Sequence, residues 1–385
     1  MKNSAANIPV VIVGGGPVGL FLAIALLKNG IDCKVIEKRK EPVADSRSLG
    51  IHPVSLELFD ELGITTPFLE EGLKIKRGIA LTATKKLGEI HFSDCPKPHD
   101  YILACPQSTT ERILRDELRK LNKDALITKA EFIRFEESEN SVTTYFSRGQ
   151  ETQQISSQFL IGCDGKNSQV RQASSIHFSG KRYPDTYIMG DFTDTTDFGA
   201  DAAVFLPKDG LIECFPLPNG MRRWVVKTRD YISDPVDEIL ASFVKQRIGH
   251  DISGTKSTML SSFGVQHFVA ESFAKGRVLL AGDAAHVVSP IGGQGMNLGW
   301  LGAWKMAKQL SSARHPDPES LLAYSDQHKK IAAKVARRAE VNMRLGRASA
   351  VPMFKDWMIK GILHSPLKQN VAQLFTMRGL NDWWL

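Results

Sequence analysis

Glycines spaced to press backbone amides against a phosphate, with an acid placed shortly after, open the chemistry of this chain. Val10–Val13 is a β-branched run suited to a buried parallel strand, and Gly14-x-Gly16-x-x-Gly19 follows at once. Leu20–Lys28 is then rich in Leu and Ala, which favour helix. Gly14 permits the tight turn, Gly16 lets a phosphate approach the backbone, and Gly19 lets the helix pack close to the strand. Pro17 and Val18 lie between the last two glycines and count with the site. A pyrophosphate there would meet free N–H groups and the positive end of a helix dipole. The next strand, Cys33–Ile36, ends in Glu37, eighteen residues after Gly19, with Lys38 beside it. A carboxylate at that spot accepts hydrogen bonds from an adenosine ribose. Such an acid serves NAD as well as a flavin dinucleotide, so this stretch does not choose the cofactor. Residues 3–27 carry no charge, but three consecutive glycines and a proline argue against a membrane-spanning helix.

Two further stretches narrow the choice. Gly162-Cys163-Asp164-Gly165 follows the apolar Phe159–Ile161 and runs on to Arg171. Asp-Gly is an ordinary turn pair, and its place at a strand end is what gives Asp164 a binding role. Val278–Ala281 is a third strand, Gly282 lets the chain turn, and Asp283 can accept hydrogen bonds from ribityl hydroxyls. Pro290–Gly295, including Gly293, is a glycine-rich loop, and Met296-Asn297-Leu298-Gly299 opens a helix. Free amides near Gly295–Asn297 suit the N1–O2 edge of a flavin, where negative charge collects on reduction. In this order the three stretches point to FAD.

The elements that must hold these residues mix both periods. Residues 50–62 read as a helix stopped by Gly63, and another begins at Ser108 or Thr109, either able to cap it, and runs to Leu121. Strands are expected at Ile79–Ala83, Glu89–Phe92, Tyr101–Cys105, Ala125–Phe135, Val142–Phe146 and Phe159–Cys163. From Tyr183 the texture changes to short strands at Tyr187–Phe192, Ala203–Leu206, Leu211–Pro216 and Arg223–Thr228. Asp209-Gly210 and Asn219-Gly220 are hairpin turns between them, and Pro235–Ile248 is a helix on the back of that sheet. The fold class is therefore α/β. A Rossmann-like nucleotide domain (1–77, 101–182, 265–345) carries an inserted antiparallel-sheet substrate domain (78–100, 183–264) and a C-terminal helical tail (346–385).

With 385 residues, 42% of them hydrophobic, the chain can bury the large core such a pair of domains needs. The net charge, 49 − 42 = +7, is moderate; it helps attract an anionic cofactor such as NADPH and implies no nucleic-acid partner. Five cysteines without a C-x-x-C pair suit reduced thiols in the cytoplasm, and no His/Cys cluster has metal-ligand spacing. Lys330, Lys334, Arg337, Arg338 and Arg344 recur at helical spacing, which reads first as a solvated face. Contact with an anionic membrane surface is the sharper alternative. Apolar residues near the tail (Trp357, Ile359, Ile362, Leu363, Leu367, Trp383-Trp384-Leu385) are assigned to core packing or a dimer contact, in a monomer or homodimer.

Taken together, the motifs resemble the single-component flavoprotein aromatic hydroxylases typified by para-hydroxybenzoate hydroxylase. Ubiquinone-pathway hydroxylases and tetracycline-inactivating monooxygenases are similar. The resemblance covers nearly the whole chain, and it leaves no room for the thioredoxin-like domain of larger members. It implies that Asp164 lies near the pyrophosphate, that the loop ending at Gly295 holds the isoalloxazine ring, and that His286 is a packed residue near the phosphates. It also implies that Arg47, in Ser46–Ile51, touches FAD beside the substrate, that Gln107 lines the flavin, and that Arg112 is a weaker contact of the same kind. Where the family usually has an acid, this chain has Gly302. The implied reaction uses transiently bound NADPH or NADH and O2, through a flavin C4a-hydroperoxide, to hydroxylate an aromatic, polyketide-like or quinone-precursor molecule. Met189, Phe205, Phe215, Trp224 and Pro290 are the candidate pocket residues. Alternatives are a flavin halogenase, an isoprenoid double-bond reductase on a similar fold, or a non-catalytic FAD-binding protein. The halogenase segment Trp-x-Trp-x-Ile-Pro is absent here.

Overall fold

In a computed structural model, residues 8–42, 48–312, 318–347 and 352–378 are described. Apolar β-branched runs build the centre of the first sheet. Ile8–Val13 lies between Cys33–Glu37 and Glu151–Gly162, parallel to both. Leu126–Thr128 and Val278–Leu280 extend the parallel set on either side. Val13, Glu37, Gly162 and Leu280 thus bring four strand C-termini to one edge, where doubly wound sheets bind ligands. Helix Pro17–Lys28 and helix Gln294–Ser312 pack there, and the Trp300 indole donates to the Pro17 carbonyl at 3.0 Å.

The expected single strand Ala125–Phe135 is two. Lys129 takes a left-handed conformation (φ 54°), so Leu126–Thr128 stays in the parallel set while Ala130–Glu137 turns away to pair with Val142–Arg148. Likewise the second helix of the region runs Gln107–Leu121, with Pro106 at its N-cap rather than a serine or threonine.

A second sheet orders eight strands from His286–Val287 through Ser257–Ala270, Phe178–Thr193, Met221–Thr228, Ile212–Leu217, Ala202–Phe205 and Arg77–Leu81 to Lys86–His91. The two hairpins form where Asp-Gly and Asn-Gly predict them: Gly210, Asn219 and Gly220 all have positive φ. One strand is longer than its pattern suggests, and one was not expected. Phe178–Thr193 and Ser257–Ala270 pair along their length, and Phe178 and Val269 pack on the first sheet's core. Polar Ser257-Thr258 and Ser261-Ser262 hide the second of them from a hydrophobicity reading. One face of this sheet is covered by helix Asp237–Ile248, which buries Leu240, Ala241 and Val244 against Ile188, Phe205 and Trp224. The other face turns toward the first sheet. The tail contributes helices Pro352–Leu363 and Lys368–Phe375; Leu363 packs so closely on the Lys86–His91 strand that a Cβ at Gly88 would sit 2.8 Å from it.

Candidate active site

Between the sheets lies a cavity of about 1490 Å³, larger than the few hundred to ~1,000 Å³ that one drug-sized ligand usually fills. One end is walled by the three glycine-bearing stretches and the other by the free face of the second sheet. Gly14 (φ +107°) has no space for a side chain, because a Cβ would run into the Cys163 carbonyl. Gly16 is the opposite case. Its backbone is ordinary, yet nothing lies within 4 Å of a Cβ built there, so the glycine holds open a cradle at the helix N-terminus. A diphosphate has the size and charge for that space.

The acids around the cradle differ in what they already hold. Glu37 accepts from the Gly15 amide at 2.6 Å and the Arg39 amide at 2.8 Å, so it clamps the glycine loop while still lining the cavity. Asp164 Oδ2 accepts from the Gln169 and Val170 amides at 2.7 and 3.2 Å, whereas Oδ1 is buried without a partner. Arg171 fixes this turn to the third stretch by donating to the Ala284 and Lys166 carbonyls. Asp283 opens into the cavity but is otherwise enclosed by protein, and that burial raises its carboxyl to about 6. A group bringing hydroxyl donors would relieve both carboxylates, which is what the ribityl chain and ribose of FAD present. Helix Gln294–Ser312 starts beside them, its first amides lacking intrahelical partners. The residues present fit FAD.

A family model described as an FAD binding domain matches residues 7–339. The chain belongs to the flavin-dependent aromatic hydroxylases. It is 33% identical over 344 residues to the uncharacterized aromatic compound monooxygenase YhjG of Bacillus subtilis (strain 168), covering 87% of this chain and 68% of that one. To an anhydrotetracycline monooxygenase of Streptomyces rimosus it is 30% identical over 372 residues, 92% of this chain and 71% of the other. The crystal structure of p-nitrophenol 4-monooxygenase PnpA from Pseudomonas putida DLL-E4 shares the fold (TM-score 0.88, 20% identity, 98% and 99% of the chains). FAD is the cofactor of this hydroxylase family, and the enzyme is a flavin-dependent monooxygenase.

Most residues expected at the hydroxylase site do meet at the cavity: Gly14, Gly16, Pro17, Val18, Glu37, Lys38, Gln107, Asp164, Gly282, Asp283, Pro290, Gly293, Gly295 and Met296 all line it. Gly19 does not; a Cβ there would collide with the Gly14 carbonyl oxygen, so its part is close packing. Asn297, expected to act through its backbone amide, is not among the residues that line the cavity. Its side chain is wholly buried and spent on structure, accepting from the His52 amide and donating to the Gly50 and Gly293 carbonyls. Arg112 is a correction: it is exposed, paired with Glu71 and Asp116, and off the cavity. Gln107 Nε2 instead donates to Glu111, one turn on, and Glu111 lines the cavity. Arg47 lies outside the described residues.

For the substrate end, Met189 and Phe215 face the cavity. Phe205 and Trp224 do not; they stack on each other under helix Asp237–Ile248, on the opposite face of the sheet. The expectation also missed Glu213, Arg223 and the tail residues Ile359, Ile362, Leu363, Val371 and Phe375, all of which line the cavity. Ile359, Ile362 and Leu363 were assigned to core packing or a dimer contact; together with Val371 and Phe375 they instead close one end of the pocket.

His286 is buried against Phe273 and His328 and lies off the cavity. The departure at Gly302 has a local cause: the His328 ring occupies the space where a Cβ would go. The basic stripe is not one solvated face either, since Arg338 is buried and donates to the Arg378 carbonyl. No described helix is long and apolar enough to cross a membrane.

Proposed function

We propose that this chain hydroxylates a small aromatic or quinone-like compound at the expense of NADPH or NADH and O2. The observation that carries the reading is the continuity of one cavity from the Gly16 cradle and Asp283 to the apolar wall of Met189, Phe215 and Val225. Residues 78–100 and 183–264 then wall the substrate, and the nucleotide segments before and after them hold the cofactor. Bound FAD supplies hydride acceptance and oxygen activation. In balance, NAD(P)H, a proton, O2 and an aromatic C–H become NAD(P)+, water and a phenolic C–O–H.

The chain's own residues do the rest. The amides at the start of helix Gln294–Ser312 would stabilise charge developing at the flavin N1–O2 edge. The Gly16 cradle would hold the diphosphate, Asp164 would fix the Gln169–Val170 turn beside it, and Asp283 would take hydroxyls of the ribityl chain. The tail helices and the apolar sheet face exclude water from the reacting end, which suppresses wasteful release of reduced oxygen. The five cysteines form no disulfide among the described residues, which suits a reducing cytoplasm.

The test is direct. Purified protein loaded with FAD is screened for NADPH and NADH oxidation across phenols and quinones, and products are weighed. A gain of one oxygen atom, coupled to one NAD(P)H, is expected. Two added hydrogens would mark a reductase, one added halogen a halogenase, and no turnover with any member a non-catalytic flavoprotein.

A further inference from the structure

Strand Ile212–Leu217 puts Ile212 and Cys214 into the core under helix Asp237–Ile248, and Glu213 and Phe215 into the cavity wall. Glu213 sits directly between Val204 and Val225 on the neighbouring strands, and Met189 lies across from Val225. It is a carboxyl in an apolar wall, 8% exposed, and no hydrogen bond or ion pair to it is found among the described residues. Burial alone pushes it up to about 7. The buried cation of the same wall is already matched: Arg223 Nε and Nη2 meet the two Asp191 oxygens at 2.6 and 2.7 Å. The wall therefore presents one acceptor without a donor, and no uncommitted buried cation beside it. A buried polar group left in this state favours any ligand that completes it and disfavours one that repels it.

We propose that Glu213 is a specificity-determining residue, which accepts a hydrogen bond from an O–H donor on the substrate ring and turns away aromatic carboxylates. This rests on the monooxygenase reading above for the cavity's being a substrate site. It separates this chain from hydroxylases of aromatic acids when Glu213 is ionised, because a ring acid then brings a second carboxylate into the same desolvated wall.

The experiment uses FAD-loaded protein at pH 8.5, where Glu213 is ionised, and three probes of one ring system: naphthalene, 2-naphthol and 2-naphthoate. Binding is followed by perturbation of the flavin absorbance, with oxygenated product weighed separately. Wild type is expected to bind 2-naphthol at least about tenfold more tightly than either other probe. Glu213→Gln keeps a hydrogen-bond partner, so it should hold 2-naphthol within about threefold while 2-naphthoate gains about tenfold. Glu213→Leu should reduce 2-naphthol to the level of naphthalene. The proposal is overturned if wild type binds 2-naphthoate as tightly as 2-naphthol, if 2-naphthol fails to bind up to its solubility, or if the Leu variant keeps the wild-type ratios. The two readings fail separately. Selective binding with no oxygenated product removes the monooxygenase assignment and leaves Glu213, whereas product formed without the selectivity does the reverse.

Discussion

The two ends of the cavity are built by different means. At the nucleotide end, backbone packs tightly: Gly14 against the Cys163 carbonyl, Gly19 against the Gly14 carbonyl, and Gly299 against the Gly282 backbone and the Val18 side chain. At the other end, a sheet presents alternate side chains, and which of them reach the pocket is decided by strand phase alone. The first kind of site tolerates almost no change of residue type. The second accepts many residues, and so it carries the specificity.

That contrast is best broken with two glycines of one loop. Gly14→Ala forces a Cβ into a carbonyl at a left-handed φ, so backbone strain and overpacking together should cost about 3–5 kcal/mol and release FAD. Gly16→Ala meets nothing and has an extended backbone, so its stability without FAD should stay within about 0.5 kcal/mol of wild type. FAD affinity should nevertheless fall about 100-fold, since the methyl fills the cradle. Urea unfolding and FAD titration of both variants check this; a Gly16→Ala protein that keeps full affinity would mean the diphosphate does not sit there.

On the second sheet the largest expected effect comes from a pair rather than a glycine. Asp191→Ala strands the Arg223 guanidinium, which is 1% exposed, without its bidentate partner. Breaking a buried pair from one side costs about 3–5 kcal/mol, and urea unfolding should show it. A loss under ~1 kcal/mol would show that Arg223 is hydrated through the cavity instead.

Glu213→Gln should act through pH. The folded chain raises this carboxyl from 4.5 to about 7, so it holds the proton more tightly than the unfolded chain does. The stability this lends is complete below pH 4.5 and lost as pH rises through 7, where a buried charge must form. The variant should therefore gain on wild type by up to about 3 kcal/mol at pH 8.5 and by little at pH 4.5. Tyr187, whose own pKa is raised chiefly by burial and secondarily by this carboxylate, lies two strands away, beyond Met221–Thr228. His52 and His286 work in the opposite sense, lowered by burial to about 4, so their contribution is present above 6.5 and fades as pH falls. Taking variant minus wild type at each pH cancels them. A pH-independent difference would place the Glu213 carboxyl in bulk solvent.

What could be seen in the sequence follows the same division. Gly14, Gly16, Asp164, Gly282 and Gly295 were legible because a chain turning at a strand end against a phosphate leaves glycine and acid at fixed spacings. Met189 and Phe215 were picked on the correct phase, Phe205 and Trp224 one residue off it. A one-residue slip exchanges the faces of a strand, and both faces of this sheet are buried, so hydrophobicity carries no sign of which faces the pocket. Ile212-Glu213-Cys214 held a usable signal, an acid at the centre of an otherwise apolar strand, which is costly unless the residue has work to do. The tail helices gave no such signal, because five apolar residues that close a pocket look like five that fill a core. Asn297 looked like a ligand for a related reason. The signal there is the free backbone amide of a helix start, and only the fold reveals that His52, Gly50 and Gly293 claim the Asn297 side chain.

Arg112 supplies the smallest effect and the cleanest limit on the comparison. It sits five residues after Gln107 on one helix, about 140° further round, and so on a different face from a residue that lines the cavity. Its partners, Glu71 and Asp116, are themselves more than two-fifths exposed. Exposed pairs are worth about 0–1 kcal/mol, so Arg112→Ala should leave the urea midpoint nearly unchanged and FAD affinity within about twofold. Glu111→Ala, one position earlier but on the cavity side, removes the acceptor of Gln107 Nε2 at 2.9 Å and should weaken FAD measurably while Arg112→Ala does not. If the arginine variant proves the weaker binder of the two, then this helix turns a different face to the flavin, and the nucleotide end of the cavity is wider than the glycine contacts alone require.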